Sequence, residues 1–205
     1  MQPSHSTSIN ILGEAIIGHN QTILLRRKKN QRFSLKKSGH ICYLVQGGIS
    51  VLRKSDNSPS LILKAPTILG LAQMRSLTET HYMRCLTDCE MWDLDEGEAM
   101  LMLDQQQLWK HAFDILTLHL HIYYEREYLN SLPNAKTKVL ENLKLLWLED
   151  KEVRAHHSIY HFILIRSKMS RSAVHKALKE LENEGVILTK RGKLLNLTLQ
   201  PAIAP

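Results

Sequence analysis

Thiols are scarce in this chain: three cysteines, Cys42, Cys85 and Cys89, stand in 205 residues. They are too few and too scattered for a disulfide scaffold, and an iron–sulfur cluster usually takes four thiolates. No apolar run approaches the roughly eighteen residues that a membrane span needs. The opening MQPSHSTS is polar and carries no basic n-region, which argues against a secretory leader. There is no Gly-rich phosphate loop, no nucleophile elbow, no internal repeat and no low-complexity tract. Acids and bases that could act in catalysis are spread along the chain without a motif. These absences lead us to expect a non-enzymatic protein of the reducing cytoplasm, with no metal, no cofactor and no membrane partner.

With 43% hydrophobic and 23% charged residues the composition suits a folded protein, and its formal charge of +7 is unevenly placed. From Pro133 onward, 13 Lys and Arg face 7 Asp and Glu, whereas residues 1–132 hold 14 against 13. An excess confined to the last third suggests a polyanion-binding domain joined to a near-neutral one.

Residues 21–95 read as short strands. ICYLVQGGISVLRK sets two apolar runs about Gly47-Gly48, a hairpin signal. SLILKAP and HYMRCLTDCEMWDL continue the pattern, which suggests an antiparallel sandwich or roll. The basic run RRKKNQR (26–32) reads as a solvated edge or loop. If Cys85 and Cys89 share a strand, they stand roughly 13 Å apart and cannot pair. From Asp104 to Asn130 the period changes. Leu108, Ala112, Ile115, His119, Ile122, Arg126 and Leu129 alternate steps of four and three, a heptad seam. A second row (Trp109, Phe113, Leu116, Leu120, Tyr123) gives the helix two apolar faces, one for its own β-domain and one for a symmetry mate. The heptad row is the expected dimer seam, with His119 as a register-setting or satisfied core residue. SLPNAK (131–136) breaks the helix. The expected division is 1–103, 104–132 and 133–205.

The last segment carries the chemistry. KTKVLENLKLLWLED restarts a helix, the apolar SIYHFILI follows, and MSRSAVHKALKELENEGVI forms an amphipathic helix. In that helix Ser170 is the N-cap, Val174, Ala177, Leu178 and Leu181 form the buried stripe, and Gly185 is the stop. Its charge order opposes the helix dipole: Arg171, His175, Lys176 and Lys179 come first, then Glu180, Glu182 and Glu184. Positive charge at that end is useful if the partner is an anion. Arg171, Ser172, His175 and Lys176 can address base edges in a major groove, with Ser170 and Lys179 beside them. VILTKRGKLLNLTL then makes a hairpin whose tip, Lys190, Arg191 and Lys193, can neutralise phosphates. Three helices and a basic hairpin make a winged helix-turn-helix. His157 and His161 stand four apart, as metal ligands do, but no third ligand has a telling spacing.

These segments together resemble the CRP/FNR superfamily of bacterial transcription factors: β-roll sensor, long dimer helix, C-terminal winged helix. QQLWKHAF, SRSAVHKAL and RGKLLNL are further similar to a small enterobacterial branch of it. The resemblance covers the whole chain. It implies an α+β protein and places Arg171, Ser172 and Lys176 where base-reading residues lie. Ser172 stands where many members have Glu, and Lys168 where Gly is common in the turn. In cyclic-nucleotide-binding members a Gly-Glu-Leu turn and an Arg hold the ligand. Here Gly70 is followed by Leu71, and Glu79 aligns near that Arg, with Arg75 and Arg84 as the substitutes within reach. Cyclic AMP binding is therefore not expected. The reading is a homodimeric regulator whose partners are double-stranded DNA, a second copy and RNA polymerase. Two rivals stand beside it: a sensor gated by redox or by an effector or haem in the β-roll, and a protein-interaction module with a structural winged helix.

Overall fold

The computed structural model describes residues 3–74, 76 and 78–198. The chain forms two compact units, Met1–Tyr124 and Glu125–Pro205.

In the first unit, α1 (Pro3–Ile17) precedes β1 (Ile23–Arg27), β2 (Arg32–Phe33), the single-turn α2 (Leu35–Ser38), β3 (His40–Gln46), β4 (Gly48–Arg53), β5 (Pro59–Lys64) and β6 (Thr67–Leu69). A 3-10 turn (Leu71–Gln73), β7 (His81–Cys85), β8 (Cys89–Asp95), α3 (Glu96–Gln105) and α4 (Trp109–Ser131) follow, the last running from the first unit into the second. Two antiparallel four-stranded sheets result, in the orders β1-β8-β3-β6 and β2-β7-β4-β5. Alternation along the strands sorts the side chains. Cys42, Leu44, Leu69 and Met91 join Ile49, Val51, Met83 and Cys85 in one core. Ile41, Ile68 and Leu94 turn the other way, against Ile9, Leu12 and Ile16 of α1, Met102 and Leu103 of α3, and Ala112 and Ile115 of α4.

The Gly47-Gly48 hairpin is not formed. β3 and β4 lie in different sheets, and the chain crosses between them at Gly47, whose φ is +99°. A Cβ there would collide with the Asp88 carbonyl and Cys89 Sγ, so the glycine marks a close approach. β4 instead pairs with β5. The same crossing separates the two cysteines. Cys85 is on β7 in one sheet and Cys89 on β8 in the other, where the Cys89 thiol meets the Gly48 carbonyl at 3.5 Å. The single-strand separation of roughly 13 Å therefore does not apply. Burial and the neighbouring Cys89 push the Cys85 thiol up to about 12. Cys42 is raised too, chiefly by burial, and donates to Asp93 Oδ1 at 2.8 Å. Both thiols stay protonated and weakly nucleophilic. The basic run sits on the edge strand β1 and the turn after it, with Arg26 paired to Glu90 and Lys28 to Asp88.

The long helix also differs from expectation. It does not begin at Asp104: α3 ends at Gln105, Gln107 takes φ +56°, and α4 starts at Trp109. The heptad row faces inward. Leu108, Ala112, Ile115, His119 and Arg126 are buried within the chain itself, and Ile122 packs against the inter-sheet core, so this row is not a free dimer seam. Of the second row, Trp109, Phe113 (69%) and Leu120 (49%) are exposed while Leu116 and Tyr123 are half-buried, and Tyr124 and Tyr128, outside that row, are exposed too. A stripe wide enough for two faces does not say which is inner, because both have the same period. His119 is a satisfied core histidine: Nε2 meets Thr67 Oγ1 at 3.1 Å, and burial lowers its pKa to about 4. His157 and His161 do not share a helix, because His157 caps one helix and His161 lies in the next.

The second unit holds α5 (Ala135–Leu148), α6 (Lys151–His156), α7 (Ile159–Arg166), α8 (Arg171–Asn183), β9 (Ile187–Lys190) and β10 (Lys193–Leu197). Val139, Leu143, Leu146, Phe162, Ile163, Val174, Leu178, Leu181, Ile187 and Leu194 form one core.

Candidate nucleic-acid interface

The exposed face of α8 is set by its buried one. Val174, Ala177, Leu178 and Leu181 are buried at helical spacing, which turns Arg171, Ser172, His175, Lys176 and Lys179 outward. Ser170 caps the helix, its Oγ accepting from the Ala173 amide at 3.2 Å and lying 3.0 Å from Ser172 Oγ. At the other end Gly185 takes φ +69°, and the Val186 amide donates to the Leu181 carbonyl at 3.0 Å, a Schellman closure. The turn between α7 and α8 needs no glycine. Lys168 is absent from the positive-φ residues, and Ser167 holds the turn by donating to the Ile163 carbonyl at 2.9 Å.

The inverted charge order has a structural counterpart. Two of the late acids are engaged: Glu182 accepts from Thr189 of β9, and Glu184 pairs with Lys136 of α5. The cations at the start are not. Among the described residues, Arg171, Lys176 and Lys179 enter no ion pair.

The wing concentrates charge further. β9 and β10 are joined by Arg191 and Gly192, both at positive φ (52° and 73°), as a two-residue turn requires. The register sets Lys190 directly opposite Lys193, a like-charge pair that costs stability where no anion lies between them. Lys190 and Arg191 are exposed and Lys193 half-buried. The Gly192 carbonyl accepts from the Ile159 amide at 3.0 Å, fixing the tip to the start of α7.

That contact exposes residues the sequence pattern missed. Tyr160 of α7 stacks on His175 (ring centroids 6.4 Å apart, 23° between planes), and its Oη meets His175 Nδ1 at 2.7 Å. Ser158, Tyr160, Arg171, Ser172 and His175 line one open cavity of about 480 Å³ with no acidic group among them. The apolar phase of SIYHFILI held the clue. Ile159, Phe162 and Ile163 are the buried positions of α7, which leaves Tyr160 half-buried at the edge of the stripe and His161 exposed.

In the first unit the expected nucleotide-binding groups are re-employed. Gly70 keeps positive φ, but Leu71 is buried in the core. Glu79 is tied to Lys54 at 2.6 Å, a pairing that holds its carboxyl below the usual range. Arg84 lies one residue out of phase with the inward Met83 and Cys85. Arg75 is outside the described residues. Among the described residues no group of three or more His, Cys, Asp or Glu could hold a metal, and no helix is long and apolar enough to cross a membrane.

Comparison with known proteins agrees with this geometry. Residues 136–202 match the family model described as winged helix-turn-helix DNA binding. The inhibitor of hydrogen peroxide resistance from Salmonella typhimurium is 25% identical over 164 residues, covering 80% of this chain and 79% of that protein. Its namesake from Escherichia coli K12 is 25% identical over 176 residues, 85% of each. Among solved structures, the c-di-GMP responsive global regulator CLP of Xanthomonas campestris has a TM-score of 0.70 at 15% identity, covering 93% of this chain and 100% of that one. A CRP/FNR-family transcriptional regulator from Thermus thermophilus has a TM-score of 0.59 at 16% identity, covering 85% and 94%. The chain has the fold of the CRP/FNR regulators and carries a C-terminal winged helix-turn-helix of the DNA-binding type.

Proposed function

We propose that this protein is a sequence-specific DNA-binding transcriptional regulator of the cytoplasm, not an enzyme, and that it acts as a homodimer. The observation that carries the reading is the row of unpaired cations on the first turns of α8, continued by the wing tip. Arg171, Ser172, His175 and Lys176 read base edges, and Ser170 contributes the cap beside them. Lys179, Lys190, Arg191 and Lys193 contact phosphates. Residues 1–103 serve as the sensor-like part, 104–132 as the dimer helix and 133–205 as the DNA reader. The dimer face is the exposed row of α4, about Phe113 and Leu120, in place of the buried heptad row. RNA polymerase is the further partner such a regulator meets on DNA.

The test is fluorescence anisotropy of a labelled duplex titrated with protein from low to physiological salt. The expected result is affinity that falls steeply and linearly in a log–log plot, by about 0.9 per phosphate contacted. Salt-insensitive or absent binding would favour a protein-interaction module with a structural winged helix.

A further inference from the structure

Among the described residues of the second unit, four side-chain atoms are buried without a hydrogen-bond partner: Arg126 Nε, Arg126 Nη2, Asn130 Nδ2 and Asn142 Oδ1. Three of the four are N–H donors, and those three stand together. Arg126 and Asn130 are four residues apart on α4, so one helical turn sets them on the same face. Arg126 is only 6% exposed and enters no ion pair among the described residues. A charge so placed is costly unless something pairs with it.

A second cation deepens the imbalance. Arg166 closes α7, donating to the Phe162 carbonyl at 3.3 Å and lying 3.6 Å over the Phe162 ring. Burial lowers the pKa of both guanidinium groups to about 10. At Arg166 the charge of Arg126 acts in the same direction and Glu149 acts against it. Both groups therefore stay charged at neutral pH, within reach of each other's field. The acid that acts on Arg126 is Glu127, the next residue, which is exposed and does not pair with it. Asn142 Oδ1 is a neutral amide oxygen and cannot balance two charges.

The open nitrogens also have a shape. Nε and Nη2 lie along one edge of the guanidinium plane with their N–H bonds parallel, the fork that meets two oxygens of one oxyanion. We propose that Arg126, Asn130 and Arg166 form a binding site for one small inorganic oxyanion of the phosphate or sulfate class. Arg126 Nε and Nη2 hold it side-on, Asn130 Nδ2 donates a third bond, and Arg166 shares in neutralising it. The donors are covered, so a small ion reaches them by side-chain movement where a duplex cannot. An ion there ties the last turns of α4 to the end of α7, where the turn into α8 begins.

The probe is inorganic phosphate, titrated calorimetrically into the full, DNA-free chain at constant ionic strength, beside melting curves. One phosphate per chain is expected, with a melting temperature that climbs with the logarithm of phosphate concentration beyond saturation. Arg126→Met removes the fork and should weaken binding about tenfold or more. Freed of a lone buried charge, that variant should melt no lower than the phosphate-free wild type. Asn130→Asp sets a carboxylate one turn from Arg126, so it should melt above the phosphate-free wild type and no longer respond to phosphate. Lys190→Ala combined with Lys193→Ala should leave phosphate binding unchanged, which keeps this site distinct from the DNA-reading surface. The inference is overturned by absence of saturable binding to the wild type, as when a carboxylate of a second copy already sits on Arg126. It is equally overturned by binding that survives Arg126→Met, by a phosphate response retained in Asn130→Asp, or by binding lost with the two wing lysines.

Discussion

At the scale of single residues, two positions separate affinity from discrimination. Lys193 faces Lys190 across the wing, so its charge is useful only against phosphate. Lys193→Ala should lower the salt slope of DNA binding by about 1 without changing base preference. The same change should raise wing stability slightly, by about 0.2–1 kcal/mol, because it removes a like-charge pair. A urea melt beside the salt titration checks both. Tyr160 is expected to act through His175, which it stacks on and hydrogen-bonds. Tyr160→Phe keeps the stacked ring but removes the hydrogen bond to Nδ1, so affinity should fall about three- to tenfold with relaxed base choice beneath His175. His119 gives a pH prediction. Its folded pKa, about 4, lies below the ordinary 6.5, so its contribution is complete above 6.5 and is lost as pH falls toward 4. Urea midpoints of the wild type should drop between about pH 7 and pH 5, and His119→Gln should show a smaller drop.

At the scale of elements, α1 provides the sharpest case. Gly13 lies inside a helix, where alanine would ordinarily stabilise by about 0.5–1 kcal/mol. Here a Cβ would stand 2.5 Å from the Tyr43 ring, so Gly13→Ala should instead destabilise by about 1–3 kcal/mol in a denaturation curve. This helix also shows what the sequence hides. Nothing in SINILGEAII marks it as the layer that covers Ile41, Ile68 and Leu94. By contrast α8 was legible down to its N-cap, stripe and stop, because caps and a 3.6-residue period are local signals. The wing was legible from its Arg-Gly turn. The β3–β4 crossing was not, since Gly-Gly serves a hairpin and a sheet change equally well. Nor was the inward face of α4, which depends on what packs against it. For the same reason the pattern named the exposed cations of α8 and the wing but not Tyr160 and Ser158, which the neighbouring helix brings to the same cavity.

At the scale of the whole molecule, the proposed homodimer follows from large apolar side chains left exposed along α4. Phe113→Asp combined with Leu120→Asp should turn a dimer into a monomer in sedimentation velocity, with each chain still folded, because neither side chain belongs to the buried core. DNA affinity should fall with it, since two recognition helices must reach successive major grooves about 34–36 Å apart. The central claim, that the first turns of α8 read sequence, is tested most directly by selecting bound duplexes from a random pool. The selection uses wild-type protein and, in parallel, Arg171→Ala. The account predicts a two-fold symmetric motif for the wild type and loss of preference at one base pair per half-site in the variant, worth about 1–3 kcal/mol. An identical motif recovered with equal strength by both proteins would contradict it.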